Sequence, residues 1–313
     1  MKRYTAVLTA AAVFFCCAPA GASAGGDGSH TAVYDGVNYT YRVTDEKAKT
    51  AGITAADGAA NGFTVPDELD GYKITSLGEK VFFCNTDITY VKIPASITSV
   101  GSYAFSGCIN LERAQLPDTL SEIGDGCFMS CTSLVEINLG DSIREIPEKC
   151  FFSCTALASA ELPGKAESIG DKAFYGCTSL KRLDIPDTVK TIGDEALGRR
   201  YEIRSSASEN IPGFVLFGAE KSAAEKYASA YGIAFRKDHG VLLGDVDLNG
   251  LINAADASRV LKDAADAEMI GTQLSPLQRK NADMNFDGLV DARDASMILV
   301  AVANLQQQST SYV

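Results

Sequence analysis

The chain has 313 residues, enough for about two domains at ~150 residues each. Its net charge is −12 and its pI about 4.7, which argues against a nucleic-acid partner, since such binders carry a basic face, and suits cation binding. With 46% apolar and 22% charged residues, the composition is that of folded domains rather than of a disordered chain.

The first residues read as an address. "MKR" is a short basic start, and "YTAVLTAAAVFFCCA" is an apolar run of 15 residues, short for a membrane span. "ASA" at Ala22 to Ala24 is a small-x-small cleavage site, so 1–24 is expected to be a secretory signal peptide. No later segment is apolar and long enough to cross a bilayer, and no membrane insertion is expected.

From there a fixed period takes over. Phe82, Phe105, Phe128, Phe151, Phe174 and Leu197 lie 23 residues apart. Cys108, Cys131, Cys154 and Cys177 keep the same step, as do Leu111, Leu134, Leu157 and Leu180, and Val100, Ile123, Ile146, Ile169 and Ile192. One such unit cannot bury its own apolar face, whereas stacked units share one core, so the period predicts a mainly β leucine-rich-repeat solenoid over 74–200. In "CTSLKRLDIPDTVKTIGDEAL", Leu180, Leu183 and Ile185 point inward around a short strand, "PD" turns the chain, and "TVKTIG" is a second extended piece. An open end rung would expose core and unpaired backbone. Residues 25–73, which break the period with "VNYTYRVT" and "FTVPDELDGYKITSLG", are expected to form an N-terminal cap. Residues 201–236, with "GFVLFG", "SAAEKYASAYG" and "IAFR", are expected to form a strand–helix–strand C-terminal cap.

The motif "IGDKAFYGCTSLKRLDIP" resembles the BspA-like (Treponema-type) leucine-rich repeats of bacterial surface and secreted proteins, and the resemblance covers about residues 33–236.

Nine cysteines in an exported chain suggest disulfides, but Cys16 and Cys17 leave with the signal peptide and seven remain, an odd number. Ladder side chains run parallel about one strand spacing apart (~4.8 Å), while a disulfide wants Cβ atoms near ~3.8 Å and facing each other. The cysteines therefore read as small, buried, unpaired packing residues, with disulfides or a metal role as the alternatives. Outward positions on the strands are Tyr90 and Lys92, Arg113 and Gln115, Glu136 and Asn138, Ser159 and Glu161, Arg182 and Asp184. One aromatic amid mixed charge, in a chain without tryptophan, looks more like a surface for a protein than for a glucan. A bare solvated face is the plainer alternative.

After a short linker, 237–240, an acidic glycine-centred loop is written twice. Asp245, Asp247, Asn249, Leu251, Asn253 and Asp256 hold positions one, three, five, seven, nine and twelve of the first copy, with Gly250 at six. Asp283, Asn285, Asp287, Leu289, Asp291 and Asp294 hold them in the second, with Gly288 at six. Alternate oxygens of a tight loop, a backbone carbonyl at seven and a closing carboxylate at twelve meet calcium's demand for six to eight hard donors. Two ions are expected. Two copies in one register, both continuing "DAS" into an apolar helical run, exceed what chance turns produce.

This pattern resembles a type I dockerin over about 241–305, with 306–313 as a tail. Asp rather than Glu at position twelve, and the non-helical "GVLLGDVD" before the first loop, depart from a standard EF-hand and fit the dockerin pattern. The resemblance implies a small all-α module with two calcium loop–helix motifs and a scaffoldin cohesin as partner. It also implies a contact face of Ala254, Ala255, Leu261 and Lys262 in copy one, and of Ala292, Arg293, Leu299 and Val300 in copy two. The alternative for Leu261 and Leu299 is that they only pack the two helices together.

Catalytic motifs are missing from the sequence. The two histidines, His30 and His239, stand in no Cys–His or Ser–His–Asp pattern, and no HExxH, P-loop or GxSxG occurs. The expected function is that of a non-catalytic, secreted, extracellular, cellulosome-associated subunit whose solenoid binds a protein or surface ligand. An extracellular polysaccharide-degrading enzyme with an unrecognised site in the solenoid is the alternative, since paired carboxylates are plentiful.

Overall fold

The computed structural model describes residues 28–237, 244–246, 252–270, 274, 276–285 and 288–310. The expected signal peptide, His239, Asp247, Asn249, Leu251 and Asp287 lie outside the described residues.

The chain opens with an antiparallel meander of β1 (Ser29–Tyr34), β2 (Val37–Asp45) and β3 (Thr50–Asp57). Val37, Tyr39 and Tyr41 alternate inward along β2, as a period of two requires. β4 (Asn61–Thr64), β5 (Glu68–Leu69) and β6 (Tyr72–Leu77) follow. β6 pairs parallel with β3, which joins the meander to the repeats.

Each turn of the solenoid then supplies one strand to each of two sides. These are β7 (Ile88–Lys92) and β8 (Ser99–Val100), β9 (Arg113–Gln115) and β10 (Glu122–Ile123), then β11 (Glu136–Asn138) and β12 (Glu145–Ile146). β13 (Ser159–Glu161) and β14 (Ser168–Ile169), then β15 (Arg182–Asp184) and β16 (Thr191–Ile192), complete the series. Pairing is parallel and in register with the period: Tyr90 faces Arg113, Glu136 faces Ser159, and Ile146, Ile169 and Ile192 line up. β4 pairs parallel with β7, so the cap already supplies a rung.

Tight turns form the third side, where rungs are tied by backbone bonds such as Phe105 N to Cys127 O and Phe128 N to Cys150 O, both 2.9 Å. Each bond carries a phenylalanine into the centre. The rings of Phe82, Phe105, Phe128, Phe151 and Phe174 stack at centroid spacings of 5.0, 5.3, 5.6 and 5.0 Å. Glycine closes all but one of these turns, Pro147 standing in the exception, because the rungs touch there: a Cβ at Gly124 would sit 2.3 Å from Ser102 N.

The cysteines do more than fill space. Sγ of Cys108, Cys131, Cys154 and Cys177 donates to the carbonyl of Phe82, Phe105, Phe128 and Phe151 respectively, each at 3.1 Å. No described cysteine is in a disulfide, and all are buried except Cys84, which stands outside the ladder positions and is exposed. Burial raises the thiol pKa of Cys108 and of Cys154 to about 12.

Past the last regular rung, β17 (Arg199–Glu202) and β18 (Ala207–Asn210) form an antiparallel hairpin that the period did not announce. The expected strand–helix–strand follows as β19 (Val215–Phe217), α1 (Ala223–Tyr231) and β20 (Ala234–Arg236), with β19 parallel to both β15 and β20. Ser222 caps α1 by accepting from Glu225 N, and Gly232 ends it at φ 64°. α1 lays Ala224, Tyr227 and Ala228 over the core, and the Tyr227 hydroxyl accepts from Leu197 N at 2.9 Å.

The C-terminal module consists of α2 (Ala254–Ile270), α3 (Pro276–Ala282) and α4 (Ala292–Thr310). α2 and α4 meet through Ala257, Val260, Ala295 and Ile298, with Val246, Leu274 and Ala282 completing a small core. α3 adds a short helix to the two expected loop–helix motifs.

Candidate metal centre and docking face

The two acidic loops are built alike. In the first, Asp256 is fully buried at the start of α2, and its two oxygens accept from Val246 N and Asn253 N, both at 2.8 Å. In the second, Asp294 is fully buried at the start of α4 and accepts from Met284 N and Asp291 N, both at 2.9 Å. The position-twelve carboxylate thus clasps position two and position nine in both copies. Asp283 Oδ2 accepts from Gly288 N at 3.0 Å across the sharp turn that Gly288 makes at φ +81°. Asn285 is half-buried, and Leu289 turns its side chain to solvent.

Position nine caps the helix in both copies. Asn253 Oδ1 accepts from Ala255 N at 2.8 Å, and Asp291 Oδ1 accepts from Arg293 N at 2.7 Å. Arg293 also clamps the Asp291 carboxylate with its guanidinium at 2.7 Å, and these bonds lower the Asp291 pKa.

The donor set fits a hard cation. Asp245, Asp256 and Asp294 are fully buried, and a buried carboxylate needs a cation or hydrogen bonds to stay ionised. Each Asp294 oxygen takes one N–H, and a carboxylate oxygen can accept a second bond. Among the described residues no three metal-ligating groups converge on one point. Asp247, Asn249 and Asp287, which the loop order puts at positions three and five, are outside those residues.

The eight positions expected to face a partner are all on the surface. Ala254, Ala255 and Lys262 are exposed in copy one, and Ala292 and Arg293 in copy two. Leu261 and Leu299 are 47% and 46% exposed and Val300 60%, so the leucines do not pack the two helices together. The strand stripe differs from a bare solvated face: Tyr90, Arg113 and Glu136 are half-buried, and Ser159 and Arg182 are buried. His30 stacks on Tyr41 at 5.3 Å in the N-terminal cap.

Residues 75–204 match the family of BspA type leucine rich repeat regions, in six copies, and residues 243–302 match the type I dockerin domain. The chain is a BspA-type repeat region joined to a type I dockerin. No curated protein matches it. Among solved structures it is similar to a leucine rich repeat protein of T. pallidum, at 24% identity over 57% of this chain and 68% of that one, with a TM-score of 0.40. A leucine rich cell surface protein of Faecalibacterium prausnitzii gives 20% identity over 63% and 66%, with a TM-score of 0.42. A leucine-rich repeat protein of Bacteroides capillosus gives 26% identity over 42% and 96%, with a TM-score of 0.34. The dockerin implies docking to a cohesin in a cellulosome-like setting, and the repeats imply protein binding. Both are binding domains. No helix among the described residues is long and apolar enough to cross a membrane.

The sequence does not announce the β17–β18 hairpin or α3. The serines of "RSSAS" hint at the hairpin turn and Pro276 at the start of α3.

Proposed function

We propose that this chain is a secreted, non-catalytic, cellulosome-type subunit that docks in a calcium-dependent way onto a scaffoldin cohesin. Its repeat region binds a protein or surface ligand in the context of polysaccharide degradation. The supporting observation is the matched clasp: Asp256 and Asp294 tie their loops identically, each beside a helix whose next turns expose Leu261 or Leu299. Two calcium ions are assigned. Asp245, Asp247, Asn249, Leu251, Asn253 and Asp256 would hold one, and Asp283, Asn285, Asp287, Leu289, Asp291 and Asp294 the other. Calcium bound there supplies the positive charge that draws each loop's carboxylates together at the foot of its helix. Ala254, Ala255, Leu261 and Lys262 with Ala292, Arg293, Leu299 and Val300 offer a flat face of mostly small and apolar groups, suited to a sheet surface of the cohesin.

The test is titration of the full chain with a type I cohesin, in calcium and then in chelator. Binding in calcium that is lost in chelator and regained on adding calcium back is expected. Affinity that ignores the chelator overturns the calcium dependence. The same protein is expected to release no sugar from plant polysaccharides.

A further inference from the structure

Arg113, Glu136, Ser159 and Arg182 occupy one register position on four successive rungs of the strand side. Side chains in such a row are ordinarily solvated. Here Glu136 and Arg182 keep only 16% and 7% of their side-chain exposure. The C-terminal module covers them. Arg259, on α2, makes an ion pair with Glu136, which Arg113 approaches at 3.6 Å from the rung beside it. Asp245, fully buried, places Oδ2 3.9 Å from Arg182 Nη1. Arg182 is itself fixed, by Asp184 at 2.9 Å and by the Phe217 ring, 4.1 Å from the guanidinium carbon.

A cavity of about 610 Å³ lies along this seam. Tyr90, Arg113 and Glu136 line it from the repeats, and Arg259, Lys262 and Asp263 from the dockerin. Arg259 and Asp263 are four residues apart and share one face of α2. The repeats therefore present plus, minus, neutral and plus at Arg113, Glu136, Ser159 and Arg182. The dockerin brings minus, plus, minus at Asp263, Arg259 and Asp245. A slip by one rung would set Arg259 against Arg113 in one direction and against uncharged Ser159 in the other, so Glu136 is the rung that the charge order favours. Burial, together with Arg113, lowers the Arg259 pKa to about 10, the mark of a guanidinium taken out of water.

We propose that the strand face of the repeats is the seat of this chain's own dockerin, held by Arg259 on Glu136 and by Asp245 near Arg182. The seat stands whether or not the outward face of the dockerin binds a cohesin. A ligand for the strand face has to displace the dockerin first.

The experiment uses the full chain in calcium at low protein concentration, with a zero-length carbodiimide cross-linker and peptide mass spectrometry. Lys262 is expected to link to Glu112 or Glu136 within one chain, and small-angle scattering to give a single compact particle. Arg259→Glu is expected to cut the cross-link about tenfold or more and to enlarge the particle, because it leaves Glu136 against a like charge. Joining it with Glu136→Arg should restore the compact particle and the Lys262–Glu112 link. Circular dichroism and calcium affinity equal to wild type show that the dockerin of each variant is folded. If wild type gives no such link, or scatters as two tethered bodies, or if Arg259→Glu changes neither readout, the seat is wrong.

Discussion

The repeat region and the dockerin reach order by opposite routes. The repeats place Phe82 through Phe174, four laddered cysteines and a series of Leu and Ile side chains in one continuous core. Every rung is held by the rung before and after it. Among the described residues the dockerin's core holds seven, three of them alanine. Against that small core stand seven aspartates at the twelve candidate ligand positions, with Asp245, Asp256 and Asp294 out of water. Packing suffices for the first region. On the proposed reading the second draws on a bound cation as well.

Removing calcium should divide the two regions most sharply. In chelator the helical circular dichroism of α2 and α4 is expected to collapse while the β signal and melting of the repeats persist. Binding energy at a site that the unfolded chain lacks becomes folding energy. Spectra that coincide with and without calcium would refute this.

Next in size is the core of the repeats. Phe128→Ala or Phe151→Ala is expected to cost ~3–5 kcal/mol, the usual range for a buried large-to-small change. Each removes a ring stacked on both sides. Denaturant unfolding of the full chain measures it, and a loss below ~1 kcal/mol would show that the stack relaxes into the gap.

The two docking faces should differ by less. Ala255 corresponds to Arg293 and Lys262 to Val300, so a cohesin meets different shape and charge in the two orientations. Lys262 also lines the seam with the repeats, which crowds copy one. Leu299→Asp with Val300→Asp should therefore weaken cohesin binding more than Leu261→Asp with Lys262→Asp, by about tenfold or ~1.4 kcal/mol. If each pair binds like wild type and only the combined variant fails, the orientations are interchangeable.

The smallest expected effect is none. Reducing agent should leave the melting temperature of the repeats unchanged, since no described cysteine is bridged. Under native conditions iodoacetamide should label Cys84 and spare Cys108, Cys127, Cys131, Cys150, Cys154 and Cys177. A large drop on reduction would mean that the ladder is cross-linked.

Much of this was legible in the residues. A strict period names its own contacts, so Phe105 predicts Phe128 as a neighbour without any further information. The strand–helix–strand cap and both acidic loops were readable for the same reason: each is local chemistry in a fixed order. The hairpin at Arg199–Asn210 was not, because the period ends at Leu197 and nothing replaces it. The sulfhydryl bonds to Phe carbonyls were also hidden. Small size accounts for Cys in the ladder as well as the bond does, and Ala173 fills the position of Cys127 and Cys150 without one. Least legible was the strand stripe. Arg113, Glu136 and Arg182 look like any solvated row until a second module is laid on them.

The laddered thiols set how this protein ages. While a rung is closed, burial holds Cys154 near pKa 12, and little thiolate is available to react. Once a turn opens, the same sulfur returns to the ~8.5 of a solvated cysteine and to the reach of its neighbours. In an oxidising medium it can then form bonds that the native ladder never permits, and the rung has no path back. Endurance there is governed by how often a turn opens rather than by the equilibrium between folded and unfolded chains. Two variants of equal stability but different opening rates would part company over days of storage, with the faster one accumulating scrambled disulfides.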